Sequence, residues 1–304
     1  MTQVWRVHLA SDGVDPRQFC VERGIVGVGW PIEHEGPVDW VTYQRLGRDQ
    51  YQREGRGWAT ALNAIGVRMQ VGDLCWSRDL EGRYYLGRIT SDWRYENSAE
   101  HREADIVNVR SVIWNRIGAA DKVPGSILRH FIRGPAIRNI PDVTTVAATM
   151  RIFNETTGTI TYSPNLESAD LLQLLSPADT ENLVALYLQS ERHFLLVPRT
   201  ADASAPKYEF TLLRKDGFRA AVQVKSGGES IDVSAYAAVA QEFDEFILFA
   251  SSARYVGNAS PPVSCLAPAI VRAYAMSNAN ILPMAIRLAV RQASFLESFA
   301  RPDA

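Results

Sequence analysis

All seven tryptophans of this 304-residue chain (Trp5, Trp30, Trp40, Trp58, Trp76, Trp93 and Trp114) lie in its first 114 residues. So uneven a tryptophan distribution is what two separately built cores leave behind, and the length suits two domains better than one. Charge shifts along the chain as well. Residues 1–140 carry 19 Lys+Arg against 17 Asp+Glu, whereas residues 141–304 carry 13 against 17. Proline and glycine punctuate the stretch from Gly134-Pro135 to Pro141. The sequence therefore places a boundary there, with a first domain over 1–138 and a second over 139–304.

Several classes fall away on composition. No stretch approaches ~18 apolar residues, so no membrane-spanning helix is expected. The start, MTQVWRVHLASDG, has no basic segment followed by an apolar core, and no secretory signal is expected. Cys20, Cys75 and Cys265 are odd in number and lack CxxC spacing, which predicts free thiols in a cytoplasmic protein. His8, His34, His101, His130 and His193 show no metal-ligand spacing, and the glycines form neither a Walker loop nor a dinucleotide fingerprint. A net charge of -2 means that any affinity for phosphate must come from local patches.

The first half reads as mostly strand with one or two helices. Val4–Leu9 alternates, Asp15–Cys20 opens a helix, and Ile25–Trp30 is a glycine-containing strand. Val67–Trp76 leads into a strand, Glu81-Gly82 makes a hairpin turn, and Arg83–Ile89 follows. Short strands separated by turns predict a small curved β-barrel. The second half alternates: a helix over Asp179–Leu188, strands over His193–Val197, Tyr208–Leu213 and Arg219–Lys225, a helix near Val233–Phe243, a strand over Glu245–Ala250, and helix across Ala267–Phe299. Helix, three strands, helix, strand is an α/β core, so the whole chain is expected to combine α+β and α/β domains.

Within that core, Ala220-Ala221-Val222-Gln223-Val224-Lys225-Ser226-Gly227-Gly228 carries the chemistry. A strand alternates its faces, so Gln223 and Lys225 share one side while Val222 and Val224 enter the core. On the neighbouring strand Glu209 lies opposite the face of Phe210 and Leu212. A carboxylate, an amide and an ammonium can therefore converge at a sheet end.

This segment, over about residues 167–250, resembles the PD-(D/E)XK nucleases, most closely the Mrr-like branch in which Gln replaces the second acidic residue. The resemblance implies a catalytic set of Glu209, Gln223 and Lys225, with Glu181 on the preceding helix in assistance. It departs from the family in having Glu where Asp is commoner and no Pro before it, and Asp202 is a rival acidic residue. The implied cofactor is Mg²⁺ or Mn²⁺, held by Glu209, the Gln223 amide oxygen and the Val224 carbonyl, since hard cations take oxygen ligands.

Over about residues 1–135, Gly27-Val28-Gly29-Trp30, Val71–Asp79 and Tyr84–Ile89 together resemble a PUA-like domain of the EVE or ASCH sort. That resemblance implies binding of RNA or of bases flipped from duplex DNA, where aromatic faces replace lost stacking. The candidate base pocket is Trp30, Trp76, Asp79 and Tyr85. Arg45, Arg48, Arg53 and Arg56, before Trp58 and around Gly55 and Gly57, form a candidate phosphate-binding loop. Together the two resemblances imply an endonuclease that restricts foreign, modified double-stranded DNA; a homodimer is expected only because two strands are to be cut. An RNA-directed nuclease and a non-catalytic nucleic-acid sensor with a degenerate nuclease fold remain open.

Overall fold

The computed structural model describes residues 2–9, 15–51, 56–132, 134–164, 168, 170–198 and 207–300, apart from the side chains of residues 56, 299 and 300. Asp202 and Arg53 lie outside the described residues. The architecture is mixed α+β, and none of the described helices is long and apolar enough to cross a membrane. The chain divides into two compact units. Residues 1–123 and 127–163 make the first, and 124–126 and 164–304 the second.

In the first unit the elements run β1 (Val4–Val7), α1 (Pro16–Glu22), β2 (Ile25–Val28), α2 (Trp40–Tyr51), α3 (Arg56–Asn63), β3 (Leu74–Arg78), β4 (Tyr84–Ile89), β5 (Arg94–Tyr95), α4 (Ala99–Glu103), β6 (Asn108–Gly118), α5 (Gly125–His130, its first two residues grouping with the second unit), β7 (Ile137–Ile140) and α6 (Val143–Thr157). The strands order as β2-β6-β4-β3-β1-β7, with β5 also on β6. β6 makes the sheet curl: its first residues pair with β2 and β5, and Val112–Gly118 pair with β4. Local chemistry sets the helix ends. Asp15 caps α1 ahead of Pro16, Asp142 accepts from Thr145 N at 2.7 Å to start α6, and Gly158 at φ 67° ends it.

Two expectations for this half change. Residues 40–51 and 56–63 are helical, so Gly57 lies inside α3 and not in a loop, while Gly55 lies outside the described residues. The sequence sets a boundary near 138, yet β7 pairs with β1 (Val4↔Ile140) and Trp76 Nε1 donates to Thr149 on α6 at 3.1 Å. Both β7 and α6 group with the first unit.

The second unit contains α7 (Pro177–Glu191), β8 (Leu195–Leu196), β9 (Phe210–Leu213), β10 (Arg219–Lys225), β11 (Ile231–Asp232), α8 (Ala237–Ala240), β12 (Glu245–Ala250), β13 (Tyr255–Val256), β14 (Val263–Leu266), α9 (Pro268–Ser277) and α10 (Met284–Ala300). Its main sheet is ordered β14-β12-β10-β9-β8. β8, β9 and β10 form an antiparallel meander, after which β12 and β14 run parallel to β10. A crossover through α8 makes the parallel step possible, since parallel neighbours cannot be joined by a hairpin.

Strand β10 is almost wholly buried, as a central strand covered on both faces must be. Val222 and Val224 join the core that Leu183, Val184 and Leu188 of α7 build, whereas Ala221 packs with Phe246 and Leu248 toward α8. α7 starts where Ser176 accepts from Asp179 N at 3.2 Å while the Asp179 carboxylate takes the Ser176 hydroxyl at 2.6 Å. That is a reciprocal cap one turn earlier than the sequence suggests.

Candidate functional site

Alternation along β10 does what its sequence implies. Gln223 and Lys225 share the face of Ala221, away from Val222 and Val224. The register Val222↔Phe210, with Glu209 N donating to Val222 O at 2.8 Å, places Glu209 on that same face. Gln223 is 5% exposed. Its Nε2 donates to Glu209 Oε1 at 3.0 Å and to the Val224 carbonyl at 3.1 Å. Lys225 Nζ is 3.5 Å from Glu229 Oε2, an ion pair exposed enough to contribute little to stability.

The structure adds Tyr236, whose hydroxyl is held up in pKa first by burial, while Lys225 opposes the shift and Glu209 and Asp232 add to it. Nothing in the local sequence marks Tyr236. It arrives on the single 3₁₀ turn, Val233–Tyr236, that follows β11. Glu181 stands apart from this arrangement. It is half-buried in the second turn of α7, and α7 packs on the sheet face opposite Gln223 and Lys225.

The donor set is compatible with a hard cation in one respect and sparse in another. Glu209 Oε1 and Val224 O converge on one point, now filled by the partial positive charge of the Gln223 amide N–H₂. Turning that amide over would present a third oxygen at the same place, an arrangement oxygen atoms tolerate only around a cation. Against this, no group of three or more His, Cys, Asp or Glu side chains suited to a metal occurs among the described residues.

The four residues expected to line a base pocket separate. Trp76 is fully buried, its indole N–H given to Thr149, so it walls no opening. Asp79 and Tyr85 meet, with Tyr85 Oη donating to Asp79 Oδ2 at 3.1 Å, in a groove that also holds Asp15, Glu22 and Glu81. Burial is the largest influence on Asp79 and raises its pKa, but bonds from Arg83 and Tyr85 together outweigh it and the net shift is downward. A groove so rich in carboxylates repels phosphate.

Trp30 is different. It lines a cavity of about 210 Å³ together with Leu9, Gly29, Ala104 and Asp105. The sequence reads Ile25–Trp30 as continuous strand, yet β2 ends at Val28 and Trp30 has φ 68°, a left-handed backbone that a bulky residue rarely adopts. Three bonds hold it there. Asn108 Nδ2 donates to Gly29 O at 2.7 Å and to Tyr43 Oη at 2.8 Å, and Tyr43 Oη donates to Trp30 O at 2.8 Å. Both Asn108 and Tyr43 are wholly buried, and burial pushes the Tyr43 phenol up to about 12. Such strain costs of order 1–3 kcal/mol and persists only where surroundings enforce it.

No protein-family model matches the chain, and no curated protein matches it. Function therefore rests on the geometry of these two places. As for the expected phosphate-binding arginines, Arg45 and Arg48 stand exposed on α2, three residues apart on one face. Arg56 opens α3, and Trp58, which ends the run, is buried in an aromatic cluster with Tyr43 and Tyr51.

Proposed function

We propose that the chain is a metal-dependent endonuclease. Its second unit hydrolyses phosphodiesters, and its first recognises a modified base in double-stranded DNA, a pairing suited to restriction of foreign DNA. One observation carries the nuclease reading: Glu209 Oε1, the Gln223 amide and the Val224 carbonyl meet at the end of β10, with Lys225 on the same face. The order α7, β8-β9-β10 meander, α8, then β12 parallel to β10 is the order that the PD-(D/E)XK resemblance implies, and it supports the same reading.

Mg²⁺ or Mn²⁺, when bound, supplies a polarised phosphate and a water of lowered pKa. The chain's own groups do the rest. Glu209, Val224 and, with its amide turned over, Gln223 would contribute the oxygens that hold the cation. Lys225, half-exposed and ion-paired with Glu229, can swing its ammonium toward a phosphate and offset charge growing there. The fixed backbone of β10 keeps these groups in register while substrate changes.

The test is cleavage of modified and unmodified DNA by the full chain, with Mg²⁺, with chelator, and with Lys225→Ala. Cleavage is expected only with the metal, and the variant is expected to lose on the order of 10²-fold or more in rate while melting within about 2 °C of the parent, since a half-exposed charge supports little of the fold. Full activity in chelator, or in the variant, removes the assignment. A second reading has an observation of its own. One carboxylate beside Gln223 is few for a metal nuclease, which favours a sensor that binds nucleic acid without cutting it; metal-independent binding with no cleavage under any condition selects that reading.

A further inference from the structure

The cavity beside Trp30 contains a carboxylate that the sequence does not single out. Asp105 follows α4, with its N–H donating to Arg102 O at 3.1 Å, and the next residues are pinned by Ile106 N to His101 O at 2.9 Å and Val107 N to Val28 O at 3.0 Å. Its φ is 52°. Two non-glycine residues in the left-handed region, Trp30 and Asp105, thus line one cavity, and strain of this kind gathers at binding sites. Gly29 lies directly beneath the Asp105 carboxylate, and any side chain there would collide with it. The missing side chain makes room for that carboxylate, and Asp105 and Trp30 both line the cavity.

The remaining wall is apolar, from Leu9, Val28, Ala104 and Ile106. At about 210 Å³ the space is below that of drug-sized sites, ~300–1,000 Å³, and suits one flat ring system. An indole offers it a face to stack on. An ionised carboxylate only accepts hydrogen bonds, so the ring edge that meets it must donate.

We propose that this cavity takes one unstacked base and that Asp105 selects the base by its edge. Guanine presents two adjacent donors, N1–H and the 2-amino group, and fits a carboxylate best. Cytosine and adenine set one amino donor beside a ring-nitrogen acceptor and fit less well. Thymine and uracil flank their single N–H with two carbonyls, which face the carboxylate with like charge, and fit worst. The inference rests on the first unit being a base-binding module and assigns its selectivity to one residue.

The experiment uses the full chain in chelator, so that no strand is cut. Four duplexes differ only in one central base, placed opposite an abasic position so that it leaves the stack at little cost. Binding is followed by fluorescence anisotropy. Guanine is expected to bind about ten-fold tighter than thymine, a difference of ~1.4 kcal/mol. Asp105→Asn is expected to bring the two within about two-fold, because an amide can donate to the thymine carbonyls as readily as it accepts. Asn is among the residues that best tolerate a left-handed backbone, so this variant keeps the local fold; its melting temperature checks that, and Asp105→Ser serves if it does not.

Equal binding of guanine and thymine by the parent, or full discrimination retained without the carboxylate, overturns the role of Asp105 while leaving base binding intact. Failure to bind any of the four more tightly than a fully paired duplex overturns the base-binding reading itself, and this inference with it.

Discussion

Replacing Asn108 with Ala tests whether a buried network, and not packing alone, holds Trp30 in its strained conformation. Asn108 makes three side-chain bonds: to Gly29 O, to Tyr43 Oη, and from Trp93 Nε1 to its own Oδ1 at 3.2 Å. At ~1 kcal/mol net for each bond, with the partners left enclosed and unsatisfied, the loss is about 3 kcal/mol. For a unit of this size that corresponds to a fall in melting temperature of roughly 6–12 °C. Tyr43→Phe removes two bonds, one of them shared with Asn108, and is expected to cost about 2 kcal/mol. Because of the shared bond, the double variant should be less destabilised than the sum of the singles by ~1 kcal/mol. The assay is urea unfolding followed by tryptophan fluorescence. Every tryptophan lies in the first unit, so the signal reports that unit by itself. A loss under 1 kcal/mol for Asn108→Ala, or strict additivity in the double variant, would mean that the network does not hold the loop.

Two further outcomes follow from groups already placed. Glu209→Gln is expected to raise the Mg²⁺ concentration needed for half-maximal cleavage at least about ten-fold, whereas Asp202→Asn leaves it unchanged; the reverse pattern in a metal titration would transfer the acidic role to Asp202. Burial first, then Arg6, Arg78 and Arg17, hold the His8 pKa down, and burial followed by Arg138 and Arg6 does the same for His130. A base whose folded pKa lies below its unfolded value adds stability that is complete above the unfolded pKa near 6.5 and is lost as pH falls. The first unit should therefore weaken between pH 7 and pH 5, and His8→Gln should flatten that slope; an unchanged slope in urea midpoints across this range would refute it.

The second unit was the more legible of the two, for a physical reason. Arg219–Lys225 and Glu245–Ala250 carry their own apolar runs, bounded by turn residues, and both strands appear with the ends that the sequence implies. The Glu209–Gln223 contact followed from alternation on two strands that pair directly. In the first unit local pattern said less. Trp30 leaves its strand because Tyr43, 13 residues on, and Asn108, 78 residues on, hold the turn, and no window around Ile25–Trp30 contains either. Trp76 looked available because the helix that covers it, α6, begins beyond the point where proline and glycine suggested that the domain ends. Asp105 carried no signal: it is a lone acidic residue among Ala104, Ile106 and Val107, with no motif around it. Tertiary context decided these positions, and a sequence read in windows does not contain it.

The strand order β2-β6-β4-β3-β1-β7 has a consequence for how the protein is made. β1 occupies residues 4–7, but its neighbours are β3, some 70 residues later, and β7, at residues 137–140. β1 is thus an interior strand of the finished sheet, and its second partner is the last strand of that sheet to be made. At 5–20 residues per second the stretch from β1 to β7 takes roughly 7–27 s to make, and until then Val4, Trp5 and Val7 lack the cover of β7. Long-range parallel pairing of this kind is also slow in its own right. Synthesis of the first unit therefore leaves one edge of an apolar strand open to other nascent chains until β7 is made, and yield in a cell should depend on translation speed and chaperone supply as much as on the stability of the folded state.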